Sequence, residues 1–78
     1  MSWRWTDHIL LQLIERDISK ELIEDALKNP DSKTSGTGKR IIYQKLASGK
    51  LLRIVTEGDL LITAYITDKI SKYLKEVK

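Results

Sequence analysis

The sequence has no cysteine, no phenylalanine, one proline and one histidine among its 78 residues. Without cysteine, the chain can form neither a disulfide framework nor a thiolate metal site. No apolar run approaches the ~20 residues that a membrane span needs, and no segment has the pattern of a signal peptide. We therefore expect a cytoplasmic protein that does not associate with a membrane.

The lack of phenylalanine means that the core has to be built mainly from ten isoleucines and eleven leucines. A chain of this length is expected to form one domain, 1–78, that buries only about 60% of its unfolded surface. The formal net charge is +3, which permits an anionic partner without requiring one, because basic and acidic residues are interleaved. One asparagine and two glutamines beside many Ile, Lys and Glu are also typical of a thermophile protein.

Two helices are predicted in the first part of the chain. Thr6 and Ser19 are typical N-cap residues, and apolar residues follow each of them at helical spacing. These apolar residues are Ile9, Leu10, Leu13 and Ile14 in the first helix and Leu22, Ile23, Ala26 and Leu27 in the second. Asn29-Pro30 ends the second helix, because a residue before proline disfavours the helical conformation. Residues 2–6 suit either a short edge strand or a loose terminus anchored by two indoles, and 31–38 resemble a polar loop.

After residue 39 the hydrophobic period changes to two, which predicts three antiparallel strands at 40–46, 50–55 and 59–66. Each connector contains a glycine and suits a three-residue hairpin loop. In that register Tyr43 lies opposite Arg53, and Leu52 lies opposite Ile62.

This register sorts the side chains onto two unlike sheet faces. One face is aliphatic and should hold the helices, and it comprises Ile42, Leu46, Leu52, Ile54, Leu60, Ile62, Ala64 and Ile66. The second face carries Tyr43, Lys45, Arg53 and Tyr65. Thr67-Asp68 can cap a last helix. The predicted fold is therefore α+β, with two N-terminal helices on one face of a three- to four-stranded antiparallel sheet and a C-terminal helix.

A Gly-Thr-Gly-Lys segment at 36–39 invites comparison with a phosphate-binding loop, but its context is wrong. The first glycine of such a loop would fall at Lys33, and Arg40 replaces the metal-binding Ser or Thr. The segment also leads into a strand, so no helix N-terminus is present to bind a phosphate. A flexible connector is the better interpretation.

Two sets of residues remain as candidates for function. His8 has no cysteine or second histidine with which to bind zinc, so it is either a general acid or base or an ordinary exposed residue at a helix start. The phenols and cations of the second face could stack bases and contact phosphates. The alternative is that this is the wetter face of an antiparallel sheet, partly covered by the C-terminal helix or by a second subunit.

Three segments resemble the pattern of a family of small prokaryotic domains of unknown function. They are Thr6-Asp7-His8, Glu15-Arg16-Asp17-Ile18-Ser19 and Ala26-Leu27-Lys28-Asn29-Pro30. The family pattern continues with strands like 50–55 and 62–65, so the resemblance covers roughly Trp5 to Ile66. Asp17 departs from the pattern, which usually has glycine there, and this suggests a slightly different turn between the helices.

That family is similar to the RelE and BrnT toxins, which cleave mRNA, often on the ribosome, and are neutralised by an antitoxin. The resemblance implies a RelE-like fold and a reaction that uses neither a metal nor another cofactor. The catalytic candidates are Arg53, Tyr43, Tyr65 and His8, and the nucleic-acid-binding candidates are Lys45, Arg40 and Arg16. In this hypothesis the phenols or the imidazole move protons, and the cations stabilise the developing charge.

Two other functions fit the same sequence. The domain could be a non-catalytic module that binds a protein partner or a second copy of itself. It could also bind nucleic acid without cleaving it. Partners implied by these hypotheses are an antitoxin, RNA or the ribosome, and a homodimer.

Overall fold

The computed structural model describes residues 3–70. Two helices, α1 (Asp7–Glu15) and α2 (Lys20–Lys28), precede the strands β1 (Ser32–Ser35), β2 (Arg40–Ala47), β3 (Lys50–Glu57) and β4 (Leu60–Thr67). The strands form one antiparallel sheet in the order β1-β2-β3-β4, which confirms the α+β class with two helices. Most of the predicted C-terminal helix lies outside the described residues. Within 3–70, no helix is long and apolar enough to cross a membrane.

Both predicted N-caps are confirmed. The hydroxyl of Thr6 accepts a hydrogen bond from the Ile9 amide at 3.2 Å, and that of Ser19 accepts one from the Leu22 amide at 3.1 Å. Three residues of the predicted α2 stripe are buried, Ile23, Ala26 and Leu27, and Leu22 is partly buried. The buried stripe of α1 is narrower than predicted, since Ile14 is 77% exposed. The reason is that α1 packs on β4 at the edge of the sheet, where less surface is available to cover it.

The turn between the helices is a Schellman motif that ends α1. The Ile18 amide donates to the Leu13 carbonyl at 2.9 Å, and the Asp17 amide donates to the Ile14 carbonyl at 3.3 Å. Asp17 has a φ of 55°, the left-handed conformation that this position requires and that glycine adopts without steric cost. Aspartate thus adopts the left-handed conformation that a Schellman motif requires, and the expectation that this turn differs from that of the family stays a prediction.

Replacing Asp17 with glycine is expected to stabilise the domain by about 0.5–1 kcal/mol, because the left-handed conformation then carries no side-chain strain. Asp17→Ala is the control. It should lower stability, because alanine at a positive φ is strained and lacks the local hydrogen bonding that helps aspartate there. Urea unfolding followed by circular dichroism measures both changes, and equal effects of the two variants would contradict the explanation.

The fourth strand of the sheet comes from an unexpected segment. The region 31–38, which was predicted to be a loop, contains β1, and β1 pairs with β2 so that Ser32 lies opposite Gln44. The N-terminal segment contributes only an isolated parallel bridge between Arg4 and Leu60. The Arg4 amide donates to the Asp59 carbonyl at 2.8 Å, and its guanidinium forms an exposed ion pair with the Asp59 carboxylate.

The register between β2 and β3 differs from the prediction by one residue. Gln44, and not Tyr43, lies opposite Arg53, and Tyr43 lies opposite Ile54. The physical reason is the turn: the hairpin closes with the two-residue loop Ser48-Gly49, whose φ angles of 54° and 77° match a type I′ turn. A one-residue shift moves every side chain of β2 to the other face, so the predicted sorting is wrong for this strand.

The register between β3 and β4 also differs, but by an even number of residues. Arg53 lies opposite Tyr65 and Leu52 lies opposite Ile66, so these side chains stay on their predicted faces. A bulge beside Val55 leaves Ile62 without a partner residue and turns Leu61 towards the helices.

The core lies between the helices and the sheet face that carries Leu52 and Ile54. Its members are Ile9, Leu13, Ile18, Ile23, Ala26, Leu27, Tyr43, Leu52, Ile54, Leu61 and Ala64, with Trp3, Trp5, Leu10 and Leu22 packed at its margin. The core therefore contains aromatic rings as well as aliphatic side chains. The predicted register had placed Tyr43 on the opposite face, and the position of Trp3 and Trp5 had been left open.

Candidate functional site

Arg53 and Tyr65 lie together on the second face, as cross-strand neighbours of β3 and β4. An Arg53 Nη1 hydrogen donates to the Tyr65 hydroxyl at 2.7 Å, and the guanidinium carbon lies 5.7 Å from the centre of the phenol ring. Arg53 is only 9% exposed, and its neighbours Gln44 and Leu51 are fully buried. Around Arg53 this face is therefore not an open surface, and the guanidinium serves first to position the Tyr65 hydroxyl.

Tyr43 and Lys45 lie on the other face of the sheet, because of the one-residue register shift. Tyr43 packs edge-to-face against Trp3, with ring centres 5.6 Å apart. Lys45 donates to the Asn29 carbonyl at 3.0 Å and lies 3.6 Å from the Asp25 carboxylate, so it binds the C-terminal end of α2 to β2. The prediction that these two residues share a surface with Arg53 and Tyr65 is wrong.

Arg40 lies on the second face but far from Arg53. It begins β2 opposite Glu57, four residues from the row that contains Gln44 and Arg53, which is about 13 Å along the strand. Its guanidinium forms a loose, exposed ion pair with Glu57 at 3.8 Å. Arg40 and Arg53 are therefore not neighbours on the sheet.

The first helix carries a polar cluster that we call the edge cluster, which comprises His8, Gln12, Arg16 and Thr63. The three α1 residues are four positions apart and therefore lie in one row. The Gln12 amide nitrogen is 2.9 Å from His8 Nε2, and Arg16 Nη1 donates to Gln12 Oε1 at 3.4 Å. The Thr63 hydroxyl donates to the same Oε1 at 2.7 Å, so the row reaches around the edge of β4.

The edge cluster also satisfies the exposed backbone of β4. Arg16 Nη1 donates to the Ala64 carbonyl at 2.6 Å, and the Ala64 amide donates weakly to Gln12 Oε1 at 3.5 Å. Unpaired edge groups of this kind would otherwise be available to another strand. Gln12 and Arg16 therefore have a structural role at the sheet edge beside any chemical one.

The surroundings of Gln12 determine which nitrogen of His8 accepts a hydrogen bond. Its Oε1 faces donors from Thr63, Ala64 and Arg16, so its NH2 group must point to His8. An NH2 group can only donate, and His8 Nε2 consequently acts as the acceptor. In neutral His8 the ring proton then resides on Nδ1, and the single lone pair of Nε2 is directed at the Gln12 amide.

The sequence indicated two members of the edge cluster and missed the other two. His8 and Arg16 were candidates, and the structure joins them through Gln12, which was not a candidate. The four-residue spacing from His8 to Gln12 to Arg16 was the available signal. Thr63 had no such signal, because its contact with Gln12 spans 51 positions of the chain.

Tyr65 borders the edge cluster along β4. It is two positions after Thr63 on the same face, about 7 Å along the strand, and it is half-buried. His8 and Arg16, in contrast, are exposed. Between residues 3 and 70, no three His, Asp or Glu side chains lie close enough to hold a metal ion. The accessible chemistry of this edge is therefore an imidazole, a guanidinium and two hydroxyls.

These features define a small α+β domain whose four-stranded antiparallel sheet carries two helices and a polar cluster at one edge. The chain belongs to the family described as Domain of unknown function (DUF4258), whose model matches residues 5–66. Comparisons with curated proteins and with solved structures each gave no match. The similarity to a family of uncharacterised domains is thus confirmed, whereas the further similarity to RelE and BrnT toxins stays a prediction.

Proposed function

We propose that this domain is an endoribonuclease of the RelE-like type whose reacting groups are those of the edge cluster. The observation that carries the proposal is the Gln12 side chain, which contacts an exposed imidazole on one side and an exposed guanidinium on the other. A phosphodiester lying over Gln12 would have a proton acceptor at one end and a fixed positive charge at the other.

The proposed reaction is transesterification within the RNA strand. The 2′-hydroxyl of bound RNA replaces the Gln12 amide as the hydrogen-bond donor to His8 Nε2. His8 Nε2 then accepts the hydroxyl proton, while the 2′ oxygen forms a bond to the adjacent phosphorus and the bond to the 5′ oxygen breaks. The departing 5′ oxygen takes a proton from water, and His8 later releases its own proton to the solvent. The products are a 2′,3′-cyclic phosphate and a 5′-hydroxyl.

Arg16 supports this reaction by binding the phosphate. Its guanidinium carries a permanent charge and is already oriented by the Ala64 carbonyl, so it needs little reorganisation to stabilise negative charge on the phosphoryl oxygens. Gln12 is a positioning residue, since it holds the imidazole with Nε2 as the acceptor. Tyr65, held by Arg53, adjoins the cluster and can bind the strand by stacking.

A second candidate function is association with a protein partner, such as an antitoxin or another copy of the chain. It is favoured by two large apolar side chains on α1, Leu11 and Ile14, which are 60% and 77% exposed. Association is compatible with cleavage, because the two residues are not members of the edge cluster. Plain nucleic-acid binding is the outcome if RNA is bound but not cut.

An RNA cleavage assay tests the proposed function. Purified protein is incubated with single-stranded RNA, with and without ribosomes, and the ends of the products are identified. We expect 2′,3′-cyclic phosphate ends. Arg16→Ala should lower the cleavage rate by about 10²-fold, since it removes the guanidinium of the edge cluster. Lys39→Ala, which removes an exposed cation from a distant loop, should leave the rate unchanged.

Two results would contradict the proposed function. Intact RNA in both reactions, together with normal growth of cells that express the protein, would overturn the proposal. Equal losses from Arg16→Ala and Lys39→Ala would show that only total charge matters, as in binding without catalysis. Thermal unfolding of Arg16→Ala serves as the check on folding, because Arg16 also binds the Ala64 carbonyl.

A further inference from the structure

A cleft of about 750 Å³ lies on the helix side of the sheet, between α2 and the N-terminal segment. We call it the aromatic cleft, and the residues that define it are Trp3, Trp5, Lys28, Pro30, Lys33 and Tyr43. Its volume is within the usual range for small-molecule sites. It opens beside β2, whereas the edge cluster lies at β4, so the two sites are separate.

We propose that the aromatic cleft binds a nucleotide unit, with the base against the aromatic rings and the phosphate at the lysines. The chain contains two tryptophans, and both line this one cleft while remaining only half-buried. Exposed ring surface is apolar and rigid, and flat bases stack on it with about 1–3 kcal/mol of stabilisation each. This inference does not depend on cleavage at the edge cluster.

The polar groups of the cleft fit the same ligand. Neither indole N–H has a hydrogen-bond partner within residues 3–70, so each can donate to an acceptor on a base edge. Lys33 Nζ lies 5.1 Å from the centre of the Tyr43 ring, which places its charge directly above an aromatic face. A base next to that ring would therefore lie within reach of a cation.

The charge at the rim favours an anionic ligand. Lys28 and Lys33 are both exposed, and within the described part of the chain neither forms an ion pair with a carboxylate. Glu24 also lines the cleft, and it leaves one net positive charge among these three residues. A cationic ligand would meet this charge unfavourably, since lysines already lie over the Tyr43 and Trp5 rings. A ligand in which an aromatic ring is joined to a phosphate would match both the aromatic walls and the positive rim of the cleft.

Intrinsic tryptophan fluorescence is the natural readout, because Trp3 and Trp5 are the chain's two tryptophans. The protein is titrated with AMP, UMP, adenosine, inorganic phosphate and a short single-stranded oligoribonucleotide. We expect saturable quenching by the nucleotides and weaker binding of adenosine, which lacks the phosphate. If the mononucleotides saturate the signal the ligand is a free nucleotide, and if only the oligonucleotide does so it is an unpaired nucleotide of a strand.

Charge reversal at the rim tests the role of the lysines while leaving the aromatic residues themselves unchanged, and thermal unfolding checks the loss of the Lys33 contact with the Tyr43 ring. The double substitution Lys28→Glu and Lys33→Glu should weaken nucleotide binding by about tenfold or more, and added salt should weaken it further. Lys39→Glu is the matched control, because it reverses an exposed charge far from the cleft, and it should leave the affinity unchanged.

Two results would overturn the proposal: the absence of saturable quenching by every nucleotide and oligonucleotide, or equal weakening by the double variant and by Lys39→Glu. The titration is repeated with His8→Ala protein. Nucleotide binding that persists in this variant supports a site distinct from the edge cluster, and binding that disappears would contradict it. RNA cleavage without nucleotide binding at the cleft would overturn this inference alone.

Discussion

Replacing His8 with alanine is expected to lower the rate of RNA cleavage by about 10²–10⁴-fold, the usual contribution of a positioned general base. The physical reason is that His8 has an exposed ring whose Nε2 is a hydrogen-bond acceptor, and Gln12 keeps it in that tautomer until the 2′-hydroxyl replaces the amide. The measurement is the single-turnover cleavage rate of the same RNA used for the unmodified protein.

The control for this prediction is the free energy of unfolding of the same variant. His8 is exposed, and among residues 3–70 its side chain hydrogen-bonds to Gln12 alone, so His8→Ala should change stability by less than about 0.5 kcal/mol. Gln12→Ala should also slow cleavage while leaving the imidazole in place. Undiminished cleavage by His8→Ala protein would exclude His8 as the base.

Replacing Ile54 with alanine is expected to lower the free energy of unfolding by about 2–5 kcal/mol. Ile54 is fully buried on the central strand β3, between Tyr43 on one side and Ala64 on the other, so the cavity cannot be filled by solvent. A domain of this length has a total stability of only about 4–12 kcal/mol. The variant should therefore be close to unfolding at ordinary temperature.

Ile14→Ala is the matched control, since it removes the same atoms from a side chain that is 77% exposed. Its effect should be below about 0.5 kcal/mol. Urea unfolding at equilibrium measures both variants, and the difference between them should be several-fold. If Ile14→Ala were as destabilising as Ile54→Ala, then Ile14 would be buried in solution, as expected for a chain that associates through α1.

The helices and their ends were predictable because their signals are local. Thr6 and Ser19 bond to amides only three residues away, and Asn29-Pro30 acts on its own neighbour. The pattern of Ile23, Ala26 and Leu27 likewise depends on one helix alone. Such features are decided within a few residues, and the packing of the domain did not override them.

The strand register was not predictable because the turn sequence allows two closures. Ala47-Ser48-Gly49 is compatible with a three-residue loop that ends in glycine and also with a two-residue loop that uses Ser48 at positive φ. The second closure needs serine in a conformation that it seldom adopts. It is nevertheless the one found, and it brings Tyr43 to the core beside Trp3. The less expected two-residue turn is thus found together with the packing of Tyr43 against Trp3.

The candidate site was predictable only in part for a related reason. His8 and Arg16 can be recognised from their spacing and chemistry, but Arg16 binds the Ala64 carbonyl 48 positions away, and Thr63 meets Gln12 across 51. Contacts of this kind depend on where α1 lies relative to β4. No local pattern fixes that placement, and the error in the β2 register removed Tyr43 and Lys45 from the predicted surface.

The attachment of the N-terminal segment has a consequence for how the aromatic cleft opens. One wall of the cleft belongs to the sheet and to α2. The other is carried by the N-terminal segment, which hydrogen-bonds to the sheet through Arg4 and packs on the core through Trp3 and Trp5. The polar part of this attachment is two backbone hydrogen bonds and one solvent-screened ion pair, which is less than the pairing of a full strand supplies. The cleft therefore has one wall that is part of the sheet and α2 and one wall that is attached by fewer contacts. A bound molecule would contact both walls and so help to hold the N-terminal segment in place.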